Sequence, residues 1–174
     1  MISAVVAVNK DWGIGYNGDL LEHIPEDLKY FKELTTNHIV VMGSKTWDSL
    51  PNKPLKDRLN VVISSKPKDV LGNMALRIHM EEAIARIVHS KTMAEIHPED
   101  ENEWFIIGGG SIYEQLLPFC DRVYVTKIEK SHENVDTYFP NLDKMSNEWE
   151  VSTCTELRTS GDIPYAFLTY DRIS

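Results

Sequence analysis

Trp104-Phe105-Ile106-Ile107-Gly108-Gly109-Gly110-Ser111-Ile112-Tyr113 is the stretch on which the reading of the fold turns. Four apolar residues make a short buried strand, and residues 111–117 read as a helix stopped by Pro118. The three glycines between them cost chain entropy and pack nothing themselves. A strand that ends in glycine and feeds a helix leaves bare N–H groups aimed at an anion. A tight strand–helix turn is the competing reading, and three glycines in a row exceed what it needs.

The same pattern recurs at Ile39-Val40-Val41-Met42, where Gly43-Ser44 opens a short helix through Leu50. Here a simple turn suffices. If the two strands are parallel, both junctions lie on one sheet edge, where open α/β folds bind ligands. Ile2-Ser3-Ala4-Val5-Val6-Ala7-Val8 is a third strand, apolar enough to be buried on both faces. Further strands are expected at 58–64, 74–78 and 122–128, and an amphipathic helix at 81–91 with Ala83, Ile84, Ile87 and Val88 inward. Residues 149–155 and 166–170 read as a closing antiparallel pair. The expected fold is therefore α/β, a three-layer sandwich around a central, mostly parallel sheet with an antiparallel C-terminal edge strand. No linker or repeat interrupts it, so residues 1–174 are read as a single domain.

Residues 9–24 are expected to be a long loop containing Gly13, Gly15 and Gly18. These spell a dinucleotide fingerprint, but that motif needs a helix opening within the glycines, and none is predicted before Pro25. A lid with glycine joints explains them better. Pro25 suits a first helical position, and Glu26 and Asp27 follow where the helix dipole favours acids. Asp27, Leu28 and Phe31 can border one helix face. A carboxylate so flanked suits a flat heterocycle with N–H donors, although most acids at such positions only complement the dipole.

Composition narrows the function classes. A net charge of −9 argues against nucleic acid and requires any anionic ligand to find few, local cations. The acidic run at 97–103 reads as a solvated loop, and six histidines without ligand-like spacing give no metal site. Cys120 and Cys154 are expected to be free thiols. The first apolar run, ending at Val8, is too short for a membrane span and lacks a basic leader, so a cytoplasmic enzyme without membrane contact is expected.

Taken in order, Gly13-Ile14-Gly15-Tyr16-Asn17-Gly18, Ile24-Pro25-x-Asp27-Leu28-x-x-Phe31, Val41-Met42-Gly43-Ser44-Lys45-Thr46-Trp47, Ile107-Gly108-Gly109-Gly110-Ser111-Ile112-Tyr113 and Asp136-Thr137-Tyr138-Phe139-Pro140 resemble dihydrofolate reductase over nearly the whole chain. The resemblance implies reduction of 7,8-dihydrofolate to tetrahydrofolate, by hydride transfer from NADPH and protonation at N5. It implies that Asp27 binds the pterin and raises its proton affinity, with Thr126 orienting the carboxylate. Leu20 would cover the nicotinamide from the lid. Val5, Ala7, Leu28, Phe31, Leu50, Leu55 and Ile107 would wall the substrate, and Arg58 would pair with its glutamate tail. Cofactor contacts would come from Ala7, Ile14, Gly43, Ser44, Lys45, Thr46, Ser64, Ser65 and Lys66. Gly108, Gly109, Gly110, Ser111, Ile112 and Tyr113 would complete that set, with a cis peptide at Gly108-Gly109.

The sequence departs from the family pattern in three places. Arginine is usual where Ser44 and Ser111 stand, which leaves Lys45 and Lys66 as the nearest substitutes and puts 2′-phosphate discrimination in question. Leu21-Glu22 replaces proline and a pterin-seating tryptophan. Glu22 is thereby expected to act with Asp27 across the pocket mouth, raising the pair's pKa. A monomer that also binds antifolates is expected. Two other readings stand beside this one: a pyrimidine reductase of riboflavin synthesis, and a non-catalytic nucleotide-binding protein.

Overall fold

The computed structural model describes residues 1–99 and 103–174, so the middle of the acidic run, residues 100–102, lies outside the described residues. The chain begins β1 (Ile2–Val8), β2 (Gly13–Tyr16), β3 (Asp19–Leu20), α1 (Pro25–Thr35), β4 (Ile39–Gly43) and α2 (Ser44–Ser49). It continues β5 (Leu59–Ile63), β6 (Asp69–Gly72), β7 (Ala75–Ile78), α3 (Met80–Ile96), β8 (Trp104–Gly108) and α4 (Gly110–Leu116). The last strands are β9 (Arg122–Ile128), β10 (Thr137–Tyr138), β11 (Trp149–Cys154), β12 (Arg158–Ser160) and β13 (Ile163–Arg172). These elements make an α/β fold.

Two compact units are distinguished, one of Met1–Ala4 with Thr35–Cys120, the other of Val5–Leu34 with Asp121–Ser174. In the first, β4 lies between β8 and β5 and runs parallel to both, with Val41 opposite Ile106 on one side and Val61 on the other. The start of β1 extends this parallel set beside β8, and β7 extends it beside β5. Val40, Val41, Met42, Val62, Phe105 and Ile106 are almost fully buried, as β-branched and aromatic strands covered on both faces should be. Because β4 and β8 are parallel neighbours, their terminal glycines, Gly43 and Gly108, lie on the same sheet edge. β6, antiparallel to β7, is a strand that the hydropathy pattern did not reveal, because its side chains are mostly exposed. Helix α3 buries Ala83 and Ile87, but Val88 faces solvent rather than the core.

In the second unit β9, β13 and β11 form antiparallel pairs, with Thr126 opposite Phe167 and Val151 opposite Tyr170. β12 folds against the start of β13. Residues 9–24 are not a plain loop. β2 and β3 form a hairpin that β10 joins, turning at Asn17-Gly18 with φ of 55° and 81°. Two successive positive φ values are what a two-residue hairpin of right-handed twist requires, and Asn-Gly supplies them at little strain. No helix opens among these glycines, as the rejection of the fingerprint anticipated.

Candidate active site

Helix α1 begins at Pro25, and the N–H groups of Asp27 and Leu28 both donate to Ile24 O, at 3.0 and 3.1 Å. Its inner side is held by Ile24 in a cluster with Ile128, Tyr165 and Phe167. Tyr30 adds an aromatic contact to Phe167, with ring centroids 4.3 Å apart. Burying a side chain of the size of Ile24 contributes about 1.5–3 kcal/mol, enough to fix where the first turn sits. Phe167 is the β-ladder partner of Thr126, so the element that docks α1 also fixes Thr126. The Thr126 hydroxyl donates to Asp27 Oδ1 at 2.5 Å, and Oδ2 accepts no bond among the described residues. Burial pushes the Asp27 carboxyl above its ordinary range, while the Thr126 hydrogen bond pulls the other way. On the same helix Leu28 is 53% exposed and Phe31 half-buried, leaving apolar surface beside the open oxygen. Val5 and Ala7 are half-buried on β1, Ile14 is buried on β2, and Leu20 is exposed on β3.

Glu22 does not take up the position expected of it. Its Oε1 accepts from Lys130 Nζ at 2.7 Å and from His132 Nε2 at 2.9 Å. The Lys130 bond holds its carboxyl below the ordinary range, and Glu22 is not among the groups that raise Asp27. The expected upward shift of a Glu22–Asp27 pair is therefore corrected. A lysine and a histidine within hydrogen-bond reach stabilise the carboxylate far more than an open pocket mouth would.

The first unit carries the glycine edge. Gly109 O starts α4 by accepting the N–H groups of Ile112 and Tyr113, both at 3.0 Å. The residues that precede α2 and α4, Gly43 and Gly109, have no side chain with which to cap the first-turn N–H groups. The two turns interlock: a Cβ on Gly43 would lie 3.0 Å from Ile112 Cγ1, and one on Gly109 would meet only Thr46 Oγ1, at 3.6 Å. Gly108 has φ of +125°, with the buried Tyr113 ring against it, and the Gly108-Gly109 peptide is cis. Ser44 and Thr46 are half-buried on α2, while Lys45 is exposed. Gly110 and Ile107 are half-buried at the junction, and Ser111 Oγ accepts from Gln115 Nε2 at 2.9 Å. Ser64, Ser65 and Lys66 follow β5 in a turn closed by Lys66 N–H to Ser64 Oγ, with His79 bonded to Lys66 O at 2.8 Å. Neighbouring Lys68 and Arg86 are taken up by Glu82, whereas neither Lys45 nor Lys66 forms an ion pair among the described residues.

Leu50 and Leu55 are half-buried in the same unit. Arg58 is buried, its NH1 donating to Thr35 Oγ1 at 3.1 Å and its Nε to Lys56 O at 2.9 Å. Burial lowers its pKa. Asn60, by sequence pattern an ordinary strand residue, fixes this corner. Its amide accepts from Leu55 N–H at 2.9 Å and donates to Leu55 O and Arg58 O at 3.0 and 2.9 Å. The signal was a polar residue inside a buried apolar run. Asn9 is a second such residue, fully buried just after β1. Among the described residues no group of histidine, cysteine and acidic side chains could hold a metal, and no helix is long and apolar enough to cross a membrane.

A sequence model of the family described as "Dihydrofolate reductase" matches residues 1–172. The dihydrofolate reductase of Bacillus subtilis is 33% identical over 174 residues, covering 99% of this chain and 95% of that one. The mouse enzyme is 32% identical, covering 98% and 97%. Among solved structures, dihydrofolate reductase from Enterococcus faecalis, complexed with NADP(H) and RAB-propyl, superposes with a TM-score of 0.79 at 30% identity. It covers 100% of this chain and 97% of that one.

Proposed function

The chain belongs to the dihydrofolate reductase family and is an NADPH-dependent enzyme that reduces 7,8-dihydrofolate to 5,6,7,8-tetrahydrofolate; we propose that Asp27, oriented by Thr126, is its catalytic carboxylate. The observation that carries this assignment is a partly buried carboxylate with one oxygen held by Thr126 and the other open. Such a group accepts the paired N–H donors of a pterin edge. Bound there, the anion favours a proton on the ring, and burial keeps it from being screened by water. Leu28 and Phe31 hold the rings, with Val5, Ala7, Leu50, Leu55 and Ile107 as further substrate contacts. Arg58, kept in place by Thr35 and Asn60, takes the substrate's terminal carboxylate.

NADPH, when bound, supplies the hydride. The glycine edge fits its phosphates: helix starts preceded by glycines that cannot cap them, a Gly43 whose Cβ would crowd Ile112, and the Thr46 hydroxyl alongside Gly109. Gly43, Ser44, Lys45, Ser64, Ser65, Lys66, Gly110, Ser111 and Ile112 are assigned to the same cofactor. Tyr113, Ala7, Ile14 and Leu20 are assigned to its nicotinamide end. The family match sets aside both the pyrimidine-reductase and the non-catalytic readings.

Finer assignments belong to the same proposal. The whole chain acts as one functional domain, supported by a family match that runs from residue 1 to 172. It works as a monomer in the cytoplasm and binds antifolates at Asp27. Its free cysteines suit a reducing compartment. The test is loss of reduced-nicotinamide absorbance when dihydrofolate is added. Turnover that requires dihydrofolate and falls by orders of magnitude in Asp27→Asn is the expected result; turnover unaffected by that substitution overturns the assignment.

A further inference from the structure

Residues 9–24, read above as the lid of this reductase, are tied down at both ends by different means. At the first end Trp12 is buried against Phe139 and Tyr170, with ring centroids 6.3 and 5.9 Å away. At the tip, Asp136 N–H donates to Gly15 O and Asp136 Oδ2 accepts from Asn17 N–H. Among the described residues the second end, Leu21 to His23, has no aromatic anchor of this kind. It has Glu22.

Both donors to Glu22 converge on a single oxygen, Oε1. The side chains of Glu22 and His132 are only 16% and 14% exposed, so this is not an ordinary solvated surface pair. The orientation of His132 follows from Asn9. Asn9 Oδ1 accepts the N–H groups of Asp11 and Gly13, at 2.9 and 2.8 Å, so its Nδ2 must face His132 Nδ1, 3.1 Å away. An amide N–H₂ opposite Nδ1 makes that nitrogen the acceptor, which places the ring proton on Nε2, pointing at Glu22. The buried amide at the start of the lid thus presents the donor that holds the lid's other end. The charged groups facing this cluster are Lys130 within it, Asp19 and Glu133 along the adjoining cleft, and Asp162 beside Lys130.

We propose that Glu22 is a positioning residue, the latch that fastens the second end of the lid to Lys130 and His132 of the segment after β9. It sets how often the lid is closed and takes no part in moving the proton. This rests on the reading of residues 9–24 as the reductase lid. Because a single oxygen receives both donors, a side chain with one acceptor oxygen can replace the carboxylate, whereas one with none cannot.

The test compares Glu22→Ala, Glu22→Gln and Lys130→Met, and the double variant Glu22→Ala with Lys130→Met. The measurements are amide hydrogen exchange of residues 17–23 in the free enzyme and single-turnover hydride transfer against pH. Glu22→Ala should speed exchange and slow hydride transfer on the order of tenfold, as loss of a largely buried charge-assisted bond implies. Glu22→Gln should stay within about threefold of the parent. The double variant should be no slower than Glu22→Ala, since both remove one interaction. The pH midpoint of hydride transfer should not move. Equal defects in the Gln and Ala variants, additive losses, or a displaced midpoint would each overturn the latch, as would unchanged exchange in Glu22→Ala. The exchange measurement needs no turnover, so failure of the parent to reduce dihydrofolate would count against the proposed function and leave the latch to be decided by exchange alone.

Discussion

The carboxylate of Asp27 and the glycine turn at Gly108, proposed above for substrate and for cofactor, offer a ligand opposite things. At Asp27 the chemistry lies in a side chain, held by one hydroxyl and by the packing of Tyr30 on Phe167. At the glycine edge the chemistry lies in the backbone, and the side chains are conspicuous by being absent. The two have diverged differently from the family pattern. The glycines are intact while the arginines expected at positions 44 and 111 are serines, and the acid helix keeps every expected residue from Ile24 to Phe31. A Cβ would be strained at Gly108 by its φ of +125° and crowded at Gly43 by Ile112, 3.0 Å away.

The sharpest way to break this contrast is Asp27→Asn, which preserves shape and removes charge. Turnover should fall by about 10²–10⁴, with cofactor affinity nearly unchanged, and the deficit should narrow at low pH, where solvent supplies the proton. A defect independent of pH would mean that the carboxylate only binds. The corresponding break at the backbone site is Gly108→Ala. At φ of +125° an added Cβ is strained, and it would lie 3.4 Å from the Tyr113 ring. A loss of about 1–3 kcal/mol in urea unfolding is expected, together with weaker NADPH binding. Full stability in this variant would show that the glycine is not needed for its conformation.

A smaller effect sharpens the contrast instead. Restoring the missing cation by Ser44→Arg should raise the NADPH-over-NADH ratio of kcat/KM by about fivefold, the scale of one exposed ion pair of roughly 1 kcal/mol. Lys66→Ala should lower it by a similar factor, and salt should erase both changes. A preference that ignores ionic strength would point to a buried partner.

The last prediction concerns stability at the acid. Burial raises the Asp27 pKa in the folded protein, so the ionised carboxylate destabilises the fold. That penalty is absent below the unfolded value of 3.8 and grows as pH rises through the folded pKa. Asp27→Asn should therefore raise Tm at pH 7 and leave it unchanged below pH 3.8. An unchanged Tm at pH 7 would mean that the carboxylate is solvated after all.

Much of the fold was legible in the chain because strong local signals agreed. The β1 run, the glycine ends of β4 and β8, and Pro25 opening α1 each follow from period, proline geometry or glycine freedom. Strands β6, β10 and β12 were not legible, since short exposed strands carry no hydrophobic period and exist only because a neighbour offers a ladder. Asn17-Gly18 is a hairpin signal, and its pairing outweighs the lid joint that its glycine alone suggests. Asn60 and Asn9 could have been found as polar residues in or just after buried runs, although their partners could not.

The sequence alone determined the chemistry that neighbours along the chain can express: an acid in a first helical turn, glycines at strand ends, a charge balance hostile to nucleic acid. The tertiary structure alone decided which distant groups meet. Thr126 lies 99 residues from Asp27 and bonds it, and His132 lies 110 residues from Glu22 and shares its Oε1 with Lys130. Glu22 shows the difference most plainly. Its position in the chain suggested a second acid beside the first, whereas a carboxylate's partners and pKa are set by whichever donors lie within about 3 Å. Those donors came from the far side of the sequence.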